Sequence, residues 1–277
     1  MVEAPRIRIL YEKIKHTKNK KIIRASGASY KKININLEGY TIRKWWFAGK
    51  YMYTHVIKND FPEYVIRTHM MMYGKIIINN EREVNPKLIP FLILELDDGT
   101  ILTWYLTQIK ILDPNCTDDQ LKSNYNVCSS RKNVIDSIKM MKYDVSNAAY
   151  NKTLHMKHLL KSQQKHPDDI VTDFLLNQAY FPGVGNILQQ EVLYRCKTLP
   201  TKKLLEIDKK IIMCFVDELK VLLDQLYQSY KRKLHGLPHE PILQVYHKGY
   251  CPLGHKTVTK IMGYHKRRTT WCPVCQI

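Results

Sequence analysis

The stretch CPLGHKTVTKIMGYHKRRTTWCPVC (251–275) decides how the chain is read. Its ends carry Cys251, His255, Cys272 and Cys275 in the spacing C-x3-H-x16-C-x2-C. Two ligand pairs around a hairpin-length spacer are what a tetrahedral zinc clip requires, and four protein ligands leave no open position for water. The four residues are therefore expected to hold a structural Zn2+. The alternating, basic spacer predicts a β-hairpin that presents Arg267 and Arg268. A lone hairpin is marginal in water, and metal binding supplies the missing folding free energy.

Upstream, YKRKLHGLPHEP (230–241) reads as a basic Gly/Pro linker to this hairpin. Before it, apolar periodicity predicts helices over 131–143, 153–162, 168–178, 186–197 and 204–230. From 20 to 112 the pattern is instead that of strands. KININL, TIRKWWF, KYMYTHVI, EYVIRTHM, KIIIN, FLILEL and TILTWYL are short runs between Gly, Asn, Asp and Pro signals, and DDGT (97–100) reads as a hairpin turn. RIRILYEKIKH (6–16) places apolar residues at helical spacing. DPNCTDDQ (113–120) is the polar break between the two patterns. The expected fold is α+β: an N-terminal helix and β-sandwich over 1–115, a helical domain over 116–243 and the zinc hairpin over 244–277.

The chain has 277 residues, and its 44 Lys+Arg against 25 Asp+Glu leave a formal charge of +19. Such a field favours a polyanion and argues against an ordinary small-molecule enzyme. The most apolar helical stretch, IIMCFVDELKVLL (211–223), is short and carries charges, so no membrane insertion is expected. The N-terminus has no signal-peptide pattern. Of seven cysteines, Cys116, Cys128, Cys196 and Cys214 lie outside the clip and show no paired spacing, which fits a reducing, intracellular setting.

FPGVGNILQQEVLY (181–194) places two glycines before a helix start. The free N–H groups of such a start suit an anion, with phosphate as the natural occupant and Asn186 as an added donor. The same turn reads equally as a helix C-cap followed by a cap residue. Joined to the zinc hairpin ending R-x-x-x-W-C-x-x-C-Q (Arg267 to Gln276), however, it resembles the Fpg/Nei family of DNA glycosylases. The start of the chain agrees: Val2-Glu3-Ala4-Pro5 is similar to that family's nucleophilic amine, Glu, small residue and Pro. GKYMYTH (49–55) and HMMMYGK (69–75) resemble its G-K-x-x-x-x-H and H-x-x-M/L-x-G segments.

The resemblance implies roles position by position. Val2, its amine freed by removal of Met1, is the nucleophile, Glu3 the acid–base, and Lys50 an active-site cation. His69, Asn186 and Arg267 hold phosphates. Met72, with Met71 and Tyr73, fills the gap left by an extruded base. Cys251, His255, Cys272 and Cys275 bind zinc, a Cys-His-Cys-Cys set like that of endonuclease VIII-like members. The implied partner is damaged DNA, duplex or single-stranded; a monomer within the cell is the default expectation. The implied activity is N-glycosylase plus abasic-site lyase in base excision repair, on oxidised pyrimidines and ring-opened purines ahead of 8-oxoguanine. Val2 departs from the Pro most members carry, and Arg6 stands where bacterial members usually have Glu.

Residue chemistry agrees with that assignment. An α-amino group with a pKa of about 8 is roughly one-tenth unprotonated at pH 7, against below about one part in a thousand for a free lysine. The amine attacks C1′ and becomes an imine, the electron sink for elimination. A non-catalytic zinc-containing DNA-binding or damage-sensing protein is the alternative; it would share the charge, the clip and the GVGN turn, but needs none of Val2, Glu3 and Lys50.

Overall fold

In the computed structural model, which describes residues 2–28, 30, 35–79, 87–115, 125–238 and 241–277 (backbone alone over 125–131), the chain forms two compact units. Val2 belongs with Ile7–Lys139, whereas Glu3–Arg6 belongs with Met140–Ile277. Helix α1 (Ala4–Ile14) carries the return to the first unit, between Arg6 and Ile7.

The first unit contains eight strands among the described residues: β1 (Ile22–Ser26), β2 (Thr41–Ala48), β3 (Tyr51–Ile57), β4 (Tyr64–His69), β5 (Lys75–Ile78), β6 (Leu92–Leu96), β7 (Ile101–Tyr105) and β8 (Gln108–Leu112). They make two four-stranded antiparallel sheets, ordered β1-β6-β7-β5 and β2-β3-β4-β8. Alternation puts Met52, Thr54, Val56, Ile66 and Thr68 on the buried face of the second sheet and leaves Tyr51, His55, Arg67 and His69 partly exposed. The sheets meet where Trp45 of β2 stacks on Trp104 of β7, with ring centroids 6.5 Å apart. Both indoles are wholly or almost wholly buried, and their N–H groups find partners: Trp45 Nε1 donates to Thr17 Oγ1 and Trp104 Nε1 to Thr68 Oγ1.

Strand β2 breaks the simple alternation. A register shift between Ile42 and Lys44 turns it, and Trp46, which faces away from the sandwich core, is nonetheless buried. Helix α2 (Tyr125–Met141) covers that face: Trp46 Nε1 donates to Ser137 Oγ at 3.1 Å, and Trp46 stacks on Tyr53 at 5.1 Å. The DDGT turn is a hairpin as expected, with Gly99 in the left-handed region (φ +83°) and Thr100 N donating to Asp98 Oδ1. Three strand expectations change. QIKIL (108–112), absent from the expected runs, forms β8 by pairing with β4. IIRAS forms β1 although its alternation is weak, because it pairs with β6. The KININL run lies partly outside the described residues, and 35–37 is not a strand.

The second unit packs α3 (Lys152–Lys165), α4 (Val171–Leu176), α5 (Asn186–Arg195) and α6 (Lys209–Leu234) around Phe174, Phe181, Leu188, Phe215 and Leu222. Asn151 caps α3 and Asp208 caps α6, each side chain accepting from a backbone N–H at 2.9 Å. Helix α4 is much shorter than the expected 168–178, because Asn177 begins the turns that lead into GVGN. Helix α6 runs past 230 through Lys231, Arg232 and Lys233, so the start of the supposed linker is helix, with cations suited to its C-terminal dipole. Strands β9 (Val258–Met262) and β10 (Arg267–Trp271) form the terminal hairpin. The fold is thus α+β in the order the sequence suggests: helix, β-sandwich, helical bundle, hairpin.

The cysteine reading needs correction. Cys196 and Cys214 form a disulfide that joins the C-cap of α5 to α6, with Cα atoms 5.9 Å apart. Their separation of 18 residues reflects the geometry of two packed helices, which no local spacing pattern reveals. Among the described residues no helix is long and apolar enough to cross a membrane.

Candidate active site and metal centre

The site in the second unit is built on the start of α5. Gln178 shapes the approach, donating from Nε2 to Leu176 O and Val184 O while its Oε1 accepts from Gly183 N. Gly183 is left-handed (φ +85°), a conformation glycine adopts without a Cβ penalty. Ala4 N donates to Gly183 O, which ties the chain start to this turn.

The first turn of α5 has an occupant, and it is not the phosphate expected from sequence. Glu3, only 4% exposed, accepts from Ile187 N at Oε1 (3.0 Å) and from Leu188 N at Oε2 (3.2 Å). Two otherwise unsatisfied N–H donors and the positive end of the helix dipole hold the carboxylate. Gly185 is needed here for space and not for its φ: a Cβ at that position would sit 2.6 Å from Glu3 Cδ. Tyr246 lies in the same field, its phenol pKa raised by burial, by the Glu3 charge and by Tyr230. Arg6, given no role from sequence, stacks on the Tyr230 ring at 5.1 Å.

Asn186 is the first residue of α5, and its Nδ2 donates to Arg268 O at 2.9 Å. Gln190, which sequence reasoning missed, clamps the same strand: its Nε2 donates to Arg268 O and Asn186 O, and its Oε1 accepts from Thr270 N. Arg267 stands exposed beside this clamp. Glu191, fully buried, accepts from the N–H groups of Gln244, Val245 and Tyr246 at 2.8–2.9 Å. Asp173 accepts from Tyr264 N at the hairpin tip, where Gly263 (φ +73°) lies against the carboxylate. Gln189, Gln190 and Glu191 are three consecutive polar positions of α5, and all three are buried.

In the first unit, Val2 is 8% exposed and belongs to the apolar core. Lys50 sits in the turn after β2, beside Gly49 (φ +58°). His69 ends β4, and its Nδ1 accepts from Met71 N at 3.2 Å. Burial, reinforced by the positive charges of Lys50 and Arg67, lowers the His69 pKa. Met71 is left-handed (φ +49°), and Gly74 N closes the turn onto Met70 O. This tight turn leaves Met71, Met72 and Tyr73 exposed by 49–68%, while Met70 is buried.

At the hairpin base, the ligand atoms of Cys251, His255, Cys272 and Cys275 all lie within 4.8 Å of one another. Cys251 Sγ is 3.7 Å from His255 Nδ1 and 3.9 Å from Cys275 Sγ. A tetrahedron of ligands at about 2.3 Å from a metal has edges of about 3.8 Å, so the set fits a metal ion. Gln276 fixes the second knuckle, accepting from Cys272 N and donating to Thr198 O.

No protein-family model matches the chain. An endonuclease 8-like protein of Acanthamoeba polyphaga mimivirus is 53% identical over 277 residues, covering the whole of both chains. A crystal structure of a viral DNA glycosylase aligns over the whole of both chains at 52% identity with a TM-score of 0.91. The Lactococcus lactis formamidopyrimidine DNA glycosylase, solved non-covalently bound to DNA containing an abasic site, shares the fold at a TM-score of 0.71 and 19% identity, over 99% of each chain.

The geometry at Gly185 sets a test. Gly185→Ala should cost about 1–3 kcal/mol of stability by overpacking, measured by urea unfolding. In a Glu3→Ala background the same change should be nearly neutral, because the clashing carboxylate is gone. Additive costs in the two backgrounds would contradict the contact.

Proposed function

Because the chain belongs to the Fpg/Nei family of DNA glycosylases, we propose that it is a bifunctional base excision repair enzyme whose Val2 amine attacks damaged DNA with Glu3 as the proton carrier. The observation that supports this most is the Glu3 carboxylate, one residue after Val2, buried against the N-terminus of α5. A carboxyl group fixed beside a terminal amine suits proton transfer at the sugar.

The steps balance without an outside oxidant. With Met1 removed, the Val2 nitrogen forms a bond to C1′ as the C1′–base bond breaks, and the base leaves with a proton. Loss of a proton from nitrogen and opening of the sugar ring give an imine, with Glu3 relaying protons to the ring oxygen. The protonated imine accepts the electron pair released when C2′ loses a proton, and the C3′–O bond breaks with phosphate as the leaving group. Water then frees the amine. Lys50 stabilises phosphate charge near the reacting sugar. His69, Asn186 and Arg267 bind the neighbouring phosphates, and Met71, Met72 and Tyr73 occupy the space vacated by the extruded base. Oxidised pyrimidines and ring-opened purines are the proposed substrates, because the chain's features are closer to the endonuclease VIII-like branch.

Cys251, His255, Cys272 and Cys275 hold Zn2+ in this reading, and the ion supplies structure, not chemistry, since all four positions are protein ligands. Elemental analysis should find one zinc per chain. Chelation should make the 256–268 spacer quickly cleavable by trypsin, and added zinc should restore protection. Zinc-free protein with an equally protected spacer would contradict this.

Borohydride reduction on abasic-site DNA tests the reaction. A covalent adduct mapped to Val2 is expected, and Glu3→Gln should lower base excision by about 100-fold or more. Excision without an adduct would mean a monofunctional glycosylase, and neither excision nor adduct a DNA-binding protein.

A further inference from the structure

The outer face of the sheet β2-β3-β4-β8 carries a group of cations that the proposed reaction does not use. Across the sheet, Tyr53 pairs with Arg67 and Arg67 with Lys110; in the next row on the same face, Tyr51 pairs with His69 and His69 with Gln108. The Arg67 guanidinium lies over the Tyr51 ring at 5.0 Å, and that ring is 4.9 Å from the His69 ring. The opposite end of the Arg67 row is closed, since Trp46 and Tyr53 are buried and Trp46 is bonded to Ser137 of α2. Among the described residues the β8 end is open: β8 is an edge strand, Gln108 is exposed and Lys110 is half-buried. Among the described residues Arg67 enters no ion pair, and its charge is felt at His69 together with that of Lys50.

We propose that Arg67 and Lys110 extend the DNA-binding surface beyond His69, toward the β8 edge, by taking the next backbone phosphates of the same strand. The inference rests on the reading of His69 as a phosphate ligand. Residues two apart on one strand face are about 6.7 Å apart, comparable to the step between successive phosphates. Directly opposed residues on antiparallel strands have Cβ atoms about 5 Å apart, so Lys110 adds its charge to the phosphate that Arg67 meets. Stacking on Tyr51 holds the guanidinium plane, and a planar fork of fixed orientation suits phosphate oxygens. These contacts read no base, so they raise affinity for any sequence around the lesion.

The test is binding of the full chain to lesion-containing duplexes, with salt varied and the damaged strand shortened one nucleotide at a time from each end. On the longest duplex, Arg67→Gln should weaken binding about five- to tenfold near 0.1 M salt and reduce the log–log salt slope by about 0.9. Adding Lys110→Gln should lower the slope further, and Arg67→Lys should keep most of it. At one shortening step, on one side only, wild type should fall to the Arg67→Gln level while the variant barely changes. A slope unchanged by Arg67→Gln, with His69→Ala still weakening binding, overturns this inference alone. A lower melting temperature with an unchanged slope also overturns it, since Arg67 would then only pack on Tyr51. If His69→Ala has no effect either, the phosphate reading of His69 fails with it.

Discussion

A single side chain, Glu3, is held by the start of helix α5, and that contact ties the chain start to the second unit. The helix offers backbone donors at Ile187 and Leu188, Gly185 leaves room for the carboxylate, and Ala4 ties the preceding backbone to Gly183. Each part depends on the others. A Cβ at 185 would occupy the carboxylate's place, and without an acceptor two helix-end donors would lose their partner. The GVGN turn is therefore read best as a receptor for the chain's own third residue. Residues Glu3–Arg6 belong to this unit while Val2 belongs to the other, so the peptide bond between them joins the proposed nucleophile to the proposed proton carrier.

The same short helix organises what lies around Glu3. Gln190 makes bonds to β10 resembling those of a neighbouring strand, and Glu191 gathers three consecutive N–H groups ahead of the hairpin. A buried carboxylate is costly unless its oxygens are satisfied, and here they accept three hydrogen bonds. The Cys251, His255, Cys272 and Cys275 cluster, which could hold a metal ion, lies at the base of the hairpin, while Asp173 secures its tip. The strand bearing Arg267 is fixed at its tip and along its length, an arrangement that suits a residue proposed to meet a phosphate at a set position.

Much of this was legible in the sequence, for physical reasons that differ by element. The ligand spacing at 251–275 could be read because a tetrahedral clip constrains local separations, and the DDGT hairpin because its turn demands glycine at one position. Helix α6 was legible through its apolar period, although its end was placed too early: the basic residues 231–233 look like a linker but serve a helix C-terminus. What escaped depends on contacts distant in sequence. The Cys196–Cys214 pair, the clamp by Gln190 and the bond from Glu3 to residues more than 180 positions away leave no local pattern. The helix start at 186 was recognised as an anion site, but the anion proved to be the protein's own. Strand β1 escaped because pairing with β6, and not alternation, makes it a strand.

Amide resonances report on the contact between Glu3 and α5 most directly. In hydrogen-exchange NMR of the full chain, the Ile187 and Leu188 amides should be among the protected sites. Glu3→Ala should expose and shift those two while later α5 amides, bonded within the helix, stay protected. If the two amides exchange freely in the wild type, or are indifferent to the loss of the carboxylate, Glu3 is not seated on the helix, and the account of how this chain positions its proposed proton carrier is wrong.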